Sequence, residues 1–385
     1  MSHVNEQCMR LGTIEPRREI LALTSLRGVA ALGVVIFHFR DQFGSAIDLD
    51  KYTVFFSRGY LLVDFFFVLS GFVIALSYTH FFAGGFSANK YGVFLAKRLG
   101  RIYPLHIVVL AGFVLSEAAK YLVATSANPP FSVNTFNALI ANILLIQAWG
   151  IFDHFTWNHP AWSISTEWFA YLIFPFLAAA LSKARSYTGI GVVVAVCFAE
   201  LAWLERYTGG DTPVSLFLLR CIPSFVLGMV VYRLGLFMPH RMQEILASNS
   251  AFATSLLLAV VTIALPVSDV VAIGAFFLTV LTGSVSRGRV AAALSKGPLY
   301  FLGVISYSIY LVHTLLQRVW QMLFQVVWHS HIGTAEAWIV FFVLVSAVIA
   351  VSKITYDLIE KPGRDMVSKR IVPLMRPRLN SPKLG

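Results

Sequence analysis

Arg27 and His38 stand in LRGVAALGVVIFHF, separated by the apolar or small residues Gly28 to Phe37, in a stretch otherwise fit for the interior of a lipid bilayer. A guanidinium is a permanent cation whose planar fork suits phosphate and carboxylate oxygens. An imidazole titrates near neutral pH and can take a proton from a hydroxyl. Eleven residues along a helix rise roughly 16 Å, so one helix can join an anion site at one depth to a base at another. Charges inside a membrane segment are expensive and mark a pathway or a reaction centre by default. Asp64 in LLVDFFFVLSGF and Glu167 in WSISTEW share that distinction. Either one, within reach of His38, would orient the imidazole and stabilise its cationic form.

Arg98 and Arg101, in AKRLGRIYP, have the spacing that puts two guanidiniums on one helix face. Such forks bind phosphate oxygens, although basic residues at a span's mouth also serve simply to orient it in the membrane. Ser70 in LSGF serves close helix packing or offers a hydroxyl to a substrate. His313 in SYSIYLVHTLL is a second intramembrane imidazole, either a satisfied structural residue or a substrate contact. Trp149, Trp157, Trp162 and Trp168 read as sugar-stacking platforms or as an interfacial aromatic belt.

The elements that must position these residues are membrane spans. Of 385 residues 57% are hydrophobic and 13% charged, against about 25% charged in soluble domains, and the mean hydropathy is +0.73. Lipid is therefore the expected solvent. With roughly 20 apolar residues needed to cross, the candidates are Leu21–Phe39, Tyr60–Tyr78, Ile102–Val123, Ile164–Leu181 and Gly189–Leu204. Val214–Phe237, Ala251–Val267, Val270–Val285, Tyr300–Phe324 and Ala337–Thr355 complete a set of ten. Asn137–Trp149 is too short to cross and is expected to be re-entrant or interfacial. The expected fold is an all-α polytopic membrane protein of about ten transmembrane helices with that one short helix.

Basic residues cluster between every second pair of spans, and the positive-inside rule then puts both termini in the cytoplasm. On this reading His38, Asp64 and Glu167 share a depth near the outer face, while Arg27, Arg98 and Arg101 gather near one inner mouth. Residues 1–20 form a cytoplasmic segment, 21–359 the membrane domain and 360–385 a basic cytoplasmic tail. The first apolar segment follows about twenty polar residues and lacks a cleavage site, so it is expected to stay as the first span. The net charge of +11 reflects this asymmetry and contact with anionic lipid. No nucleic-acid motif is present, and the three cysteines have neither disulfide nor metal-ligand spacing.

Six segments in order give the chain a specific resemblance to the membrane-bound acyltransferase 3 family. They are the Arg-x10-His of Arg27 and His38, VDFFFVLSGFVIA, FLAKRLGRIYPLH, HPAWSISTEWFAYLIFP, ISYSIYLVHTLL and YDLIEKP. The resemblance implies an O-acyltransferase in the bacterial inner (plasma) membrane that takes acyl-coenzyme A from the cytoplasm, with no metal. Acetyl is the commonest donor in the family and succinyl its main rival. Arg27, Arg98 and Arg101 would hold donor phosphates or line the donor's path. His38 would be the catalytic base or a transient nucleophile, and Glu167 an essential polar partner. Acceptors among such relatives include exopolysaccharide and lipopolysaccharide O-antigen, so the implied partners are membrane lipid, a glycan or glycolipid acceptor and the machinery that builds polysaccharide. Some members carry an extra esterase-like domain; this chain resembles the standalone branch. Intramembrane charges also fit a polysaccharide or lipid transporter or flippase, and His38 alone would fit a pH-sensing membrane protein.

Overall fold

A computed structural model describes residues 20–40, 53–123, 131–327 and 333–375. Among these residues there is helix and loop but no strand. The helices are α1 (Leu21–Phe39), α2 (Leu62–Phe82), α3 (Ala88–Val123), α4 (Phe136–Ile143), α5 (Ala161–Ser182), α6 (Tyr187–Thr208) and α7 (Phe217–Phe237). They continue as α8 (His240–Ala247), α9 (Asn249–Ala264), α10 (Asp269–Val285), α11 (Arg289–Leu294), α12 (Gly297–Val304), α13 (Ser306–Val327) and α14 (Thr334–Thr355). Most of the N-terminal segment 1–20 and the end of the basic tail lie outside the described residues.

The protein is a multi-pass membrane protein. Among the described residues, seven helices are long and apolar enough to cross by themselves, and nine do if each of two bent pairs is one span. The 17-residue α10 is the shorter apolar helix at the place of the remaining predicted span. The segment read as one span, Tyr300–Phe324, is broken: α12 and α13 meet at 71° around Ile305. α3 is a 36-residue helix that begins well before Ile102. Arg98 and Arg101 are thus inside a helix and not at its mouth, because the basic turn continues the helix that the apolar run propagates. The short segment is the eight-residue α4, about 12 Å long; it starts on Thr135, whose hydroxyl accepts from Ala138 N at 3.2 Å.

Side-chain pairs fix relative directions. Arg27 meets Ser306 and His38 meets His313; Tyr307 meets Ile102 and Arg318 meets Glu117. Hence α1, α3 and α13 run parallel. Asp64 meets Arg220 and Val68 approaches Gly228, so α2 and α7 also run parallel. α2 and α7 are the most intimate pair: a Cβ on Gly71 would lie 1.9 Å from Phe225 O, and one on Gly228 would lie 1.9 Å from Val68 O. Two glycines thus let two backbones touch. Past α14 the chain stays helical and packs on α3. Val367 covers Gly100, and Gly363 sits where a Cβ would be 2.6 Å from the Pro104 ring.

Candidate active site

The break at Ile305 builds the first part of the site. A helix end leaves carbonyl groups without intrahelical partners, and Arg27 supplies one: its Nη2 donates to Gly303 O at 2.9 Å and its Nε to Ser306 Oγ at 2.7 Å. That fork lies at the edge of a cavity of about 150 Å³, which is also lined by Arg98, Arg101, Ser70, Glu167, Tyr171, Ser163, Ser306, Tyr307 and Tyr310. Arg98 Nη2 donates to Tyr78 Oη at 3.1 Å, with the guanidinium over the Tyr78 ring. Its Nε is buried and has no protein partner. Arg101 is paired with the buried Glu360 at 2.9 Å.

Across the cavity Ser70 donates to Glu167 Oε1, and Tyr171 Oη donates to the same oxygen at 2.6 Å. Glu167 and Tyr171 are four residues apart and share a face of α5. At the far end Tyr310 Oη lies 2.7 Å from Ser163 Oγ and 3.1 Å from Pro160 O. One helical turn beyond Tyr310 stands His313, fully buried.

His313 Nε2 is 3.2 Å from His38 Nδ1. His38 Nδ1 is also 2.9 Å from Val34 O, and His313 Nδ1 is 3.3 Å from Ile309 O. A carbonyl can only accept, so with both rings neutral the assignment that meets all three contacts protonates each imidazole on Nδ1: His38 then shares its hydrogen between Val34 O and His313 Nε2 and carries its lone pair on Nε2. His159, in the loop before α5, places its ring edge-on to His38 with centroids 5.6 Å apart. Burial, with His38 adding to it, pushes His159 down to about 4, so it is neutral at physiological pH.

The structure brings Arg27, Arg98, Arg101, Ser70 and Glu167 to one cavity and pairs His38 with His313. It does not bring Asp64 to His38. Asp64 starts α2 near the His38 end, but it points sideways and accepts from Arg220 Nη2 at 2.7 Å and from Arg220 Nε at 3.0 Å. Arg220 in turn donates to Asp269 at 2.9 Å, which also pairs with Arg58 at 3.0 Å. Two acids and two bases thus neutralise each other, as buried charges must.

Glu167 corrects the expectation of a common depth. Its partner Ser70 lies six residues along α2 from Asp64, about 9 Å deeper, so Glu167 faces the arginines and not the imidazoles. Trp162 stacks on Phe217 with centroids 3.9 Å apart. Trp149 donates to Ser165 O at 2.9 Å, and Trp157 is buried. Their spacing gave no warning that neighbours would occupy these rings.

Sequence reasoning missed Tyr171, Tyr310, Glu360, His159 and Arg220. The spacing of Tyr171 from Glu167 and the acid in YDLIEKP were usable signals; His159 sits in a loop whose path no periodicity reveals.

A membrane-embedded helical bundle with an arginine-lined cavity and, a helical turn beyond its lining, an imidazole pair suits a protein that handles an anionic ligand within the membrane. Comparison with known proteins settles which one. The family model of the acyltransferase domain, type 3, matches residues 20–357, and the chain belongs to that family: it is a membrane acyltransferase. It is 26% identical over 380 residues to the acyltransferase MdmB of Streptomyces mycarofaciens, covering 91% of this chain and 92% of that one. A provisionally named O-acetyltransferase of Staphylococcus aureus (strain COL) is 25% identical over 380 residues, covering 90% of this chain; the chain spans 58% of that relative's length. The protein 2 in picA locus of Rhizobium radiobacter is 38% identical over 96 residues, 25% of this chain and 44% of that protein. No solved structure matches significantly.

Proposed function

We propose that the protein moves an acetyl group from cytoplasmic acetyl-coenzyme A to a hydroxyl of a cell-surface or exported glycan, such as exopolysaccharide or O-antigen, across a bacterial plasma membrane. The observation that carries this reading is the cavity itself. It gathers three guanidiniums from α1 and α3, and its lining extends to Tyr310, one helical turn before His313, which pairs with His38. Arg27, Arg98 and Arg101 suit the phosphates of the donor, and the unpartnered Nε of Arg98 is a donor awaiting an acceptor. Roughly 16 Å of helix between Arg27 and His38 leaves room for an extended arm between anion and thioester.

His38 Nε2 then takes the proton of the acceptor hydroxyl, whose oxygen attacks the thioester carbonyl carbon. The C–S bond breaks, an oxygen ester forms, and the imidazolium returns its proton to the departing thiolate. His313, accepting from His38 Nδ1–H, holds the tautomer and spreads the charge. Glu167, with Ser70 and Tyr171, balances the arginine charge across the cavity.

The test is release of free thiol from acetyl-coenzyme A by purified protein in liposomes with crude surface glycan. Glycan-dependent release that disappears in His38→Ala supports the reading. No release with either acetyl or succinyl donor, and an Arg98→Ala protein indistinguishable from wild type, would replace it with transport.

A further inference from the structure

Glu360 is buried to 1% exposure, beyond α14 and before Lys361 and Pro362, where the chain turns in a widened five-residue coil over Tyr356–Glu360. Widened turns of this kind concentrate at functional sites. The turn is locked in place on α3: Gly363 packs on Pro104, three residues after Arg101. Ser308 Oγ donates to Glu360 Oε2 at 2.9 Å, and Arg101 Nη1 lies 2.9 Å from Glu360 Oε1. That last contact is an ion pair without hydrogen-bond geometry, since Oε1 has no hydrogen-bond donor. Arg101 is thus held by charge and not by a directed bond, and it keeps 21% of its side chain exposed at the cavity while its partner exposes none. By contrast Arg98 reaches the neutral Tyr78 hydroxyl.

We infer that Glu360 is the resting counter-ion of Arg101 and a positioning residue that sets how tightly the donor's phosphate is held. This rests on the cavity being the donor site. Arg101 turns from Glu360 to an arriving phosphate and returns when the spent thiol leaves. The fixed negative charge behind it weakens the anion site enough for product to escape. A buried carboxylate a few ångströms behind a guanidinium lowers the local potential that an anion feels.

The experiment is binding of coenzyme A, which cannot react, to the full-length protein in nanodiscs by calorimetry, together with steady-state kinetics. Glu360→Gln is expected to bind coenzyme A about three- to tenfold more tightly, as removal of one nearby like charge does at a partly desolvated site. KM for the acyl donor and kcat fall together, because product release slows. A residue that merely supported the fold would weaken binding when removed. Unchanged or weaker binding by a monodisperse, helical Glu360→Gln protein therefore overturns the inference. If that variant does not fold, Glu360→Asp, which keeps the charge but withdraws it, takes its place: tighter binding of smaller size supports the inference, and equal or weaker binding overturns it. Wild-type protein that fails to bind coenzyme A overturns the donor-site reading itself. Wild-type binding that Arg101→Gln/Glu360→Gln abolishes, with Glu360→Gln alone neutral, overturns only the role of Glu360.

Discussion

His38 depends on its neighbours for the nitrogen it presents. Val34 O and His313 both claim Nδ1, so a proton taken up by a neutral His38 would go to Nε2, and replacing either imidazole should have different consequences. His38→Ala should lower kcat by about a hundredfold to ten-thousandfold, the usual worth of a positioned base. His313→Ala should lower kcat by a smaller factor with donor KM unchanged, since it touches the base and not the arginines. Initial rates against donor concentration check both.

His159 gives a pH signature. Its folded value near 4 lies below the ordinary 6.5, so between those values the unfolded chain binds the extra proton, and stability is lost as pH falls through that window. His159→Gln should flatten the acid limb of a Tm-against-pH curve between 6.5 and 4; an unchanged limb would show that His159 does not set it. Arg27, His38 and Glu167 were legible in the sequence because a charge in an apolar run needs a reason. Asp64 met the same criterion for another reason, its bond to Arg220, and only the direction of its side chain could tell the two cases apart. Asp64→Asn should cost about 1–3 kcal/mol, since Arg220 keeps Asp269 but loses its two-pronged charged partner, with donor KM unaltered. Denaturation in detergent alongside kinetics measures the two effects separately.

Helices α2 and α7 decide where Ser70 and Asp64 face. Gly71 and Gly228 bring these backbones together, and any Cβ there meets a carbonyl that cannot yield. Gly71→Ala should therefore separate the pair and cost at least about 2–3 kcal/mol. Gly191→Ala, in α6 with nothing within 4 Å of the added carbon, should stabilise by about 0.5–1 kcal/mol through helix propensity. Thermal unfolding of the two variants side by side is the check. Span α1 was readable to the residue, because the apolar run and the helix coincide. The start of α3 was not, because helix continues through basic turns that hydropathy excludes. The break at Ile305 was also hidden: it arises where Gly303 lies against Thr24, with an added carbon only 2.1 Å from Thr24 O, a contact between segments far apart in sequence.

Across the whole molecule, the alternation of basic loops and the directions of the paired helices agree. α1, α3 and α13 run one way, as first, third and ninth spans should, and α2 and α7 run together, as second and sixth should. If the basic clusters lie in the cytoplasm, the sides follow. In a cysteine-free background, His154→Cys in the loop before α5 should react with an impermeant thiol reagent on intact cells. Ser186→Cys, beside Lys183 and Arg185, should react only after permeabilisation. The reverse pattern would invert the donor and acceptor faces.

In the proposed transfer an acyl group passes from a phosphate-bearing donor at the arginines to a hydroxyl at His38. The most direct measurement follows the carbon: acetyl-coenzyme A labelled in the acetyl group is supplied on the side of the basic loops, glycan on the other, and label is counted in glycan, protein and water. Label should accumulate in glycan with wild type and remain on the donor with His38→Ala. Label held on the wild-type protein would make His38 a nucleophile instead of a base. Equal transfer by wild type and His38→Ala would remove His38 from the chemistry.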